Sequence, residues 1–295
     1  MESIGTWYWY TGFAIFVLVA IVVDLLALES KGAKKVSFRE ALTWSIVWIA
    51  LSFLFNALLW WYLDGKFGRE LANVKAAEFF TGYLIEKSLA VDNIFVFLML
   101  FTFFGVQPQY QRRVLILGVI LAIMLRAIMI LIGAWLIAKF HWILYVFGAI
   151  LLITGVKMLL MAEAEPDMDK NPILRFIRRH LSVTNEYHGE KFSIVRDGKR
   201  WFTPLFVVMV MIGITDVIFA VDSIPAIFAI TLDPFIVLTS NLFAVLGLRA
   251  MYFMLADLAE RFHLLKYGLA FILVFIGIKM VLIDIYKIPI GFALA

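Results

Sequence analysis

Apolar residues run along this chain in stretches long enough to cross a bilayer, which takes about 20 residues per helix. The stretches predict eight spanning helices, near 10–28, 41–62, 77–104, 113–138, 141–161, 203–231, 234–256 and 263–285. Hydrophobic residues make up 64% of the sequence and charged residues 16%, which excludes a soluble globular protein. The predicted fold class is therefore all-α, a polytopic membrane helix bundle that forms a single transmembrane domain over residues 1–295.

Charged residues between the helices predict the orientation of the bundle. Every second loop is basic, as shown by Lys34, Arg112, Arg178 and Lys266. Because basic loops stay in the cytoplasm, the N-terminus is expected outside and the long loop 162–202 inside. That loop is too short for a catalytic domain, and an amphipathic helix is expected around Ile173–Leu181. The apolar end, residues 291–295, is expected to begin a ninth helix, so that the last helix is truncated.

Two pairs of acidic residues occur inside the apolar stretches. Glu86 and Asp92 are six residues apart, and Asp216 and Asp222 repeat this spacing 130 positions later. A carboxylate at the bilayer centre costs roughly 2.5–3.5 kcal/mol on insertion scales unless other groups offset it. Two matched pairs therefore point to a cation site.

The sequence around these acids is itself repeated. Three further matches keep the same order in both copies: Leu125-Arg126-Ala127 with Leu248-Arg249-Ala250, Phe140-His141 with Phe262-His263, and Gly155-Val156-Lys157-Met158 with Gly277-Ile278-Lys279-Met280. Repeat one spans about 77–161 and repeat two about 203–285. Each holds three helices, an odd number, so the second copy must cross the membrane in the opposite sense. Such inverted repeats are typical of secondary transporters, although a duplication kept for packing is the alternative.

The six-residue spacing limits how one helix can present two acids. Residues six apart point about 120° from each other on an α-helix. Glu86 and Asp92 therefore share a site either where the helix is locally unwound or where they form two layers of a wider cavity. In the second copy Pro225 follows Asp222 and is predicted to kink the helix, freeing carbonyl oxygens as cation ligands. A kink that serves packing alone is the other interpretation.

Oxygen atoms dominate the candidate ligands. The predicted metal-binding residues are Glu86, Asp92, Asp216, Asp222, Asn93 and Ser223, and the predicted gating or ion-pairing residues are Arg126, Arg249, Lys87 and Asp24. Carboxylate, amide and hydroxyl oxygens suit Mg²⁺, Ca²⁺ or Mn²⁺ better than copper or zinc. The same acids could carry protons in exchange for metal. Buried ion pairs with a purely structural role are the competing interpretation.

Several function classes are disfavoured by composition. The sequence has no cysteine, so it offers no disulfide, thiolate ligand or thiol nucleophile. The net charge of +4 lies in loops and comes without a nucleic-acid-binding module. An aspartyl protease inside the membrane would place two aspartates on separate helices, but its Gly-x-Gly-Asp run is absent. No enzyme and no nucleic-acid partner are expected, and the sequence indicates no particular protein partner.

The runs 82–93 and 216–225 resemble the signatures of the TerC family, and the resemblance spans nearly the whole chain. It is closest to the Alx-like branch, through residues 60–62, 249–252 and 275–280. The resemblance implies a multi-pass protein of the bacterial inner membrane with nine helices, linked to manganese export and to metal supply for secreted enzymes. It implies Glu86, Asp92, Asp216 and Asp222 as metal-binding acids.

One position departs from the family pattern and bears on the function. The family has an acid three residues before the first aspartate of the second run, where this chain has Gly213. The change removes a ligand one helical turn from Asp216. The resulting expectation is a divalent-cation transporter with Mn²⁺ as the transported ion, exported by alternating access. The alternative is a membrane scaffold or metal chaperone that supplies metal to secreted proteins without net transport.

Overall fold

The computed structural model describes residues 3–29, 37–160, 171–196, 198–255 and 265–282, which form ten α-helices and a β-hairpin. The helices are α1 (Trp7–Glu29), α2 (Phe38–Phe67), α3 (Arg69–Phe103), α4 (Pro108–Lys139), α5 (Ile143–Leu160), α6 (Pro172–His180), α7 (Pro204–Phe228), α8 (Pro234–Val245), α9 (Leu248–Leu255) and α10 (Leu265–Val281). The hairpin pairs β1 (Ser193–Arg196) antiparallel with β2 (Lys199–Phe202).

The predicted all-α membrane bundle is confirmed. In the described ranges, seven helical segments are long and apolar enough to cross a membrane, counting α8 and α9 as one. The eighth prediction corresponds to α10, whose apolar described part, Ala270–Val281, is shorter. The expected ninth helix, the Phe262-His263 match and the end of the eighth helix lie outside the described residues.

Four helices have a proline in their first turn. Pro108, Pro172, Pro204 and Pro234 each occupy the first turn of a helix, where the missing N–H costs nothing. The second of these helices is α6, capped by Asn171 and burying Leu174 and Ile177, so the amphipathic helix expected in the long loop is present. The hairpin that follows was not predicted.

The prediction of one long helix over 234–256 is wrong at one point, because the helix is interrupted at Leu246–Gly247. Gly247 has φ +84°, a backbone conformation that residues other than glycine rarely adopt, and Trp48 packs directly against it. The N-terminal part, α8, is buried at every residue from Phe235 to Val245. The break therefore lies inside the bundle, where its free carbonyl groups need partners.

The two helices that carry the acid pairs, α3 and α7, are not interrupted at the acids. The first acid pair lies on α3, which is continuous through Glu86 and Asp92, so the local unwinding considered for this pair does not occur. The kink predicted at Pro225 produces no break, because α7 remains helical to Phe228. The carbonyl group of Val221 still lacks its usual donor, since proline has no N–H.

Helices of the two predicted repeats pack against each other. The most extensive contacts between them join α5 to α10, α3 to α8 and α4 to α7. In the first pair, Gly155 approaches Val274 and Ala270, while its sequence match Gly277 approaches Leu152 and Gly148. The contacts advance along α5 as they retreat along α10, so these two helices are antiparallel. Inversion of the whole repeat stays a prediction.

The close approach of α5 and α10 should not tolerate a methyl group. A Cβ at Gly277 would lie 2.9 Å from the backbone nitrogen of Leu152, an atom that cannot rotate away. We expect Gly277→Ala to reduce the free energy of unfolding by about 1–3 kcal/mol, because overpacking forces the helices apart. Thermal unfolding in detergent measures this, with Gly12→Ala on α1 as control, since its Cβ meets nothing within 4 Å. Equal midpoints for the two variants would contradict the packing argument.

Candidate cation site

An arginine on α4 joins the first acids of the two repeats at the centre of the bundle. Arg126 Nη2 donates to Asp216 Oδ1 at 2.9 Å and Nε donates to Oδ2 at 3.1 Å, while Nη1 donates to Glu86 Oε1. Glu86 lies on α3 and Asp216 on α7. The exposed fractions of the three residues are 0% for Arg126 and Glu86 and 1% for Asp216. This Glu86–Arg126–Asp216 cluster is called the central triad below.

Two amide side chains complete the surroundings of the triad. Asn241 of α8 donates from Nδ2 to Glu86 Oε2 at 3.0 Å, and within the described part of the chain its own Oδ1 has no hydrogen-bond partner. With the amide oxygen of Asn93 oriented towards Arg126, it accepts from Nη2 at 3.2 Å. Both amides are almost fully buried. The site thus offers carboxylate and amide oxygens from α3, α7 and α8 around the guanidinium group of Arg126 on α4.

The charges of the central triad do not cancel. Two carboxylates face one guanidinium, which leaves a formal charge of −1 if both acids are ionised. A buried charge is costly unless it is paired, and removal of one partner from such a cluster exposes the others to that cost. The arginine therefore occupies the position that a cation would take between Glu86 and Asp216.

The second acid of repeat two, Asp222, lies against α5. It accepts a hydrogen bond from Thr154, with Oγ1 and Oδ1 2.9 Å apart. Its neighbour Ser223 is buried, and its hydroxyl has no partner among the residues that the structure describes. The side chain of Asp92 lies outside the described residues. The structure thus brings Glu86, Asp216 and Asn93 together and places Asp222 against another helix.

No group of three acidic or histidine side chains among the described residues stands close enough to hold a metal ion. Glu86 and Asp216 lie on either side of Arg126, which pairs with both. Any cation bound by these two carboxylates would have to replace the guanidinium group.

The remaining predicted ion-pairing residues have separate partners. Arg249 on α9, the sequence match of Arg126, lies 3.0 Å from Asp24 Oδ2 on α1 and also donates to the Asp24 carbonyl. Lys87 Nζ donates to the carbonyl oxygens of Ala244 at 3.1 Å and Leu246 at 3.4 Å. An ammonium group thus caps the broken end of α8, where the helix dipole is negative.

Two residues at these sites were not assigned a role from the sequence. Asn241 is a polar residue at membrane depth with no counterpart in the acid motif, and only the packing of α8 against α3 brings it to Glu86. Thr154 precedes the repeated Gly155 directly, and that position was the one available signal for it.

The glycine that departs from the family pattern faces α4. A Cβ at Gly213 would lie 2.6 Å from Leu121 Cδ2, the end of a flexible side chain. An acid at this position would therefore have to displace Leu121. In this chain that volume is apolar.

Comparison with known proteins finds similar sequences over nearly the whole chain. Residues 71–294 match the family described as "Integral membrane protein TerC family". A relative from Salmonella typhi, named "Putative membrane-bound redox modulator Alx", is 57% identical over 294 residues, covering 100% of this chain and 91% of its own length. A protein of the same name from Escherichia coli (strain K12) is 56% identical, covering 100% and 92%.

More distant relatives agree. The "Uncharacterized membrane protein STKORF319" of Myxococcus xanthus is 46% identical over 287 residues, which cover 97% of this chain and 87% of that protein. No solved structure matches the chain at a significant level. The family resemblance drawn from the acid motifs is confirmed: this chain belongs to the TerC family of integral membrane proteins.

Proposed function

We propose that this protein is a divalent-cation transporter that exports Mn²⁺ across the bacterial inner membrane by alternating access. The central triad carries the proposal. Glu86 and Asp216 come from the two predicted repeats, are shielded from solvent, and are bridged by a single cationic side chain. A site with an excess of one negative charge at membrane depth is costly to maintain, and a transported cation gives it a use.

Transport of a cation through this site requires an exchange between Arg126 and the ion. When the guanidinium withdraws, Glu86 and Asp216 become free to bind, and the unpartnered oxygen of Asn241 and hydroxyl of Ser223 are further candidate ligands. Asp92 and Asp222 are the proposed second layer. All of these are oxygen donors, which favours a hard divalent ion. Mn²⁺ is the ion implied by the family resemblance.

The packing of the two repeats against each other supports alternating access. Because each repeat packs against the other, a relative movement of the two would act directly on a site that lies between them. The proposed orientation follows the basic loops, with the N-terminus outside and residues 162–202 in the cytoplasm. The name carried by the close relatives refers to redox modulation, yet the 295 residues include no cysteine and so offer no thiol chemistry.

Flux of ⁵⁴Mn²⁺ in proteoliposomes tests the proposal. We expect uptake well above that of empty liposomes, and a loss of at least about tenfold in Glu86→Gln and Asp222→Asn, since each removes a charged ligand for the ion. Asp64→Asn is the matched control, because this acid pairs with Arg69 at the exposed end of α2. Its flux should remain unchanged.

Two outcomes would count against the transport mechanism as stated. Flux that does not exceed the background of empty liposomes would reject transport, and equal flux in the chain and the two acid variants would reject these acids as the ion site. Equilibrium binding of Mn²⁺ by the full chain without any flux would favour the scaffold or chaperone instead.

A further inference from the structure

A small cavity lies between α1, α4 and the break that separates α8 from α9. Its volume is about 20 Å³, enough for a water molecule, which needs roughly 10–15 Å³. Aliphatic side chains of α1 and α4, such as Leu25 and Val119, form most of its wall. Asp24 and Arg249 are the two charged residues that line it. The cavity therefore places two charged side chains against a mostly aliphatic wall.

The charged groups at this cavity are incompletely paired. Arg249 has an exposed fraction of 1% and uses Nη2 for both of its contacts with Asp24. Among the described residues its Nε and Nη1 have no hydrogen-bond partner, and neither has Asp24 Oδ1. Unpaired polar groups at membrane depth cost several kcal/mol each, because no lipid atom can satisfy them.

The chemistry of the three unpaired atoms selects the ligand. Two are N–H donors and one is an acceptor, so the ligand must both accept and donate. An anion would be repelled by Asp24. A metal cation would be repelled by Arg249, which also lies within electrostatic range of Arg112. Water both accepts and donates, and a single molecule fits the volume.

The same break connects this cavity with the central triad. Leu246 and Gly247 line the cavity, and the carbonyl oxygens of Ala244 and Leu246 bind Lys87, the neighbour of Glu86 on α3. Ile120, at the cavity wall, precedes Arg126 by six residues, or about 9 Å along α4. Because Arg249 follows this break by two residues, a movement of α9 at the break would separate Arg249 from Asp24.

We infer that the cavity between Asp24 and Arg249 is a water-binding site and forms the inner vestibule of the ion path, with the ion pair as its gate. The inference rests on the proposed function, which supplies the path. Asp24 lies near the C-terminal end of α1, which leads to the first basic loop, and Arg249, at the start of α9, lies within electrostatic range of Arg112. In the observed arrangement the ion pair is formed, so the gate is closed.

The absence of cysteine from the sequence makes this inference directly testable. Single cysteines are placed in the full chain at Val119, which lines the cavity, and at Val237, which is buried on α8 with an exposed fraction of 0%. Ag⁺, an ion similar in size to water, is added to sealed vesicles from the side of the basic loops. We expect it to react with the cysteine of Val119→Cys and to leave that of Val237→Cys unmodified.

A second variant tests the gate. Asp24→Asn keeps a hydrogen-bond acceptor for Arg249 but removes the ion pair. We expect it to raise the rate at which the bulky, impermeant cation MTSET modifies Val119→Cys by about tenfold, because a weaker gate increases the open population. Asp64→Asn in the same background should leave the rate unchanged, since its carboxylate pairs with Arg69 far along α2.

Each result decides one part of the inference. Equal and slow reaction of both cysteines with Ag⁺ would overturn the water site. Reaction with Ag⁺ without acceleration by Asp24→Asn would overturn the gate. Labelling is read without manganese, so a hydrated, gated vestibule in a protein that transports no Mn²⁺ would reject the proposed function and leave the water site intact.

Discussion

Replacing Arg126 with methionine is expected to destabilise the folded protein by about 3–5 kcal/mol, the cost of breaking a buried ion pair from one side. The reason is that Glu86 and Asp216 would remain buried without a cationic partner. Thermal unfolding in detergent measures the loss. Arg69→Met is the matched control, because this arginine makes a similar contact with Asp64 at a side-chain exposure of 66%. Exposed pairs contribute about 0–1 kcal/mol, so the control should remain close to the parent protein.

The same variant distinguishes a cation site from a structural ion pair. If Glu86 and Asp216 form a cation site, Mn²⁺ should bind where the guanidinium was and raise the unfolding midpoint of Arg126→Met with increasing concentration. Adding Glu86→Gln and Asp216→Asn to Arg126→Met should recover most of the lost stability and abolish the effect of Mn²⁺. Recovery in the triple variant together with no response of Arg126→Met to Mn²⁺ would indicate a purely structural cluster.

Much of the fold could be predicted because the membrane imposes a simple rule on the sequence. Spanning segments must be long, apolar and helical, so α1 to α5 and α7 follow from hydropathy alone. The central acids could be found for the same reason, since Glu86 and Asp216 stand out against their apolar surroundings. Their repetition also directed attention to Arg126 and Arg249 as equivalent residues.

The choice of partners could not be predicted in the same way. Arg126 and Arg249 occupy matching positions, but one binds two acids and the other binds Asp24, which belongs to neither predicted repeat. Pairing across such sequence distances depends on which helices meet, and α3 meets α8 and α7 meets α4. Amphipathic periodicity gives little help here, because lipid-facing and core-facing residues are both apolar.

The position of the helix break also could not be predicted from the sequence. Pro225 was the stronger signal, because proline removes a backbone donor, yet α7 continues through it. The break occurs at Gly247, a residue that membrane helices often contain without breaking. Gly247 has a positive φ and lies against the indole of Trp48, and both features depend on tertiary packing.

The break is expected to depend strongly on this glycine, and Gly247→Ala should destabilise the protein by about 2–5 kcal/mol. A Cβ there would lie 2.7–2.8 Å from atoms of Trp48, and alanine at φ +84° is disfavoured by about 1–2 kcal/mol before any clash. Gly105→Ala isolates the conformational cost, because Gly105 has φ +61° and a methyl group added there would meet nothing within 4 Å. Its loss should be the smaller of the two.

The clash is measured separately by a double-mutant cycle with Trp48→Ala. If the indole defines the break, Gly247→Ala should cost less in the Trp48→Ala background than in the parent, and approach the cost of Gly105→Ala. Additive losses would show that Trp48 only covers a break that the backbone forms unaided. The distinction matters for the ion path, since the carbonyl groups of Ala244 and Leu246, at the end of α8 just before the break, bind Lys87 beside Glu86. A break held open by Trp48 on α2 makes the geometry of the central triad dependent on a helix that lies outside both predicted repeats.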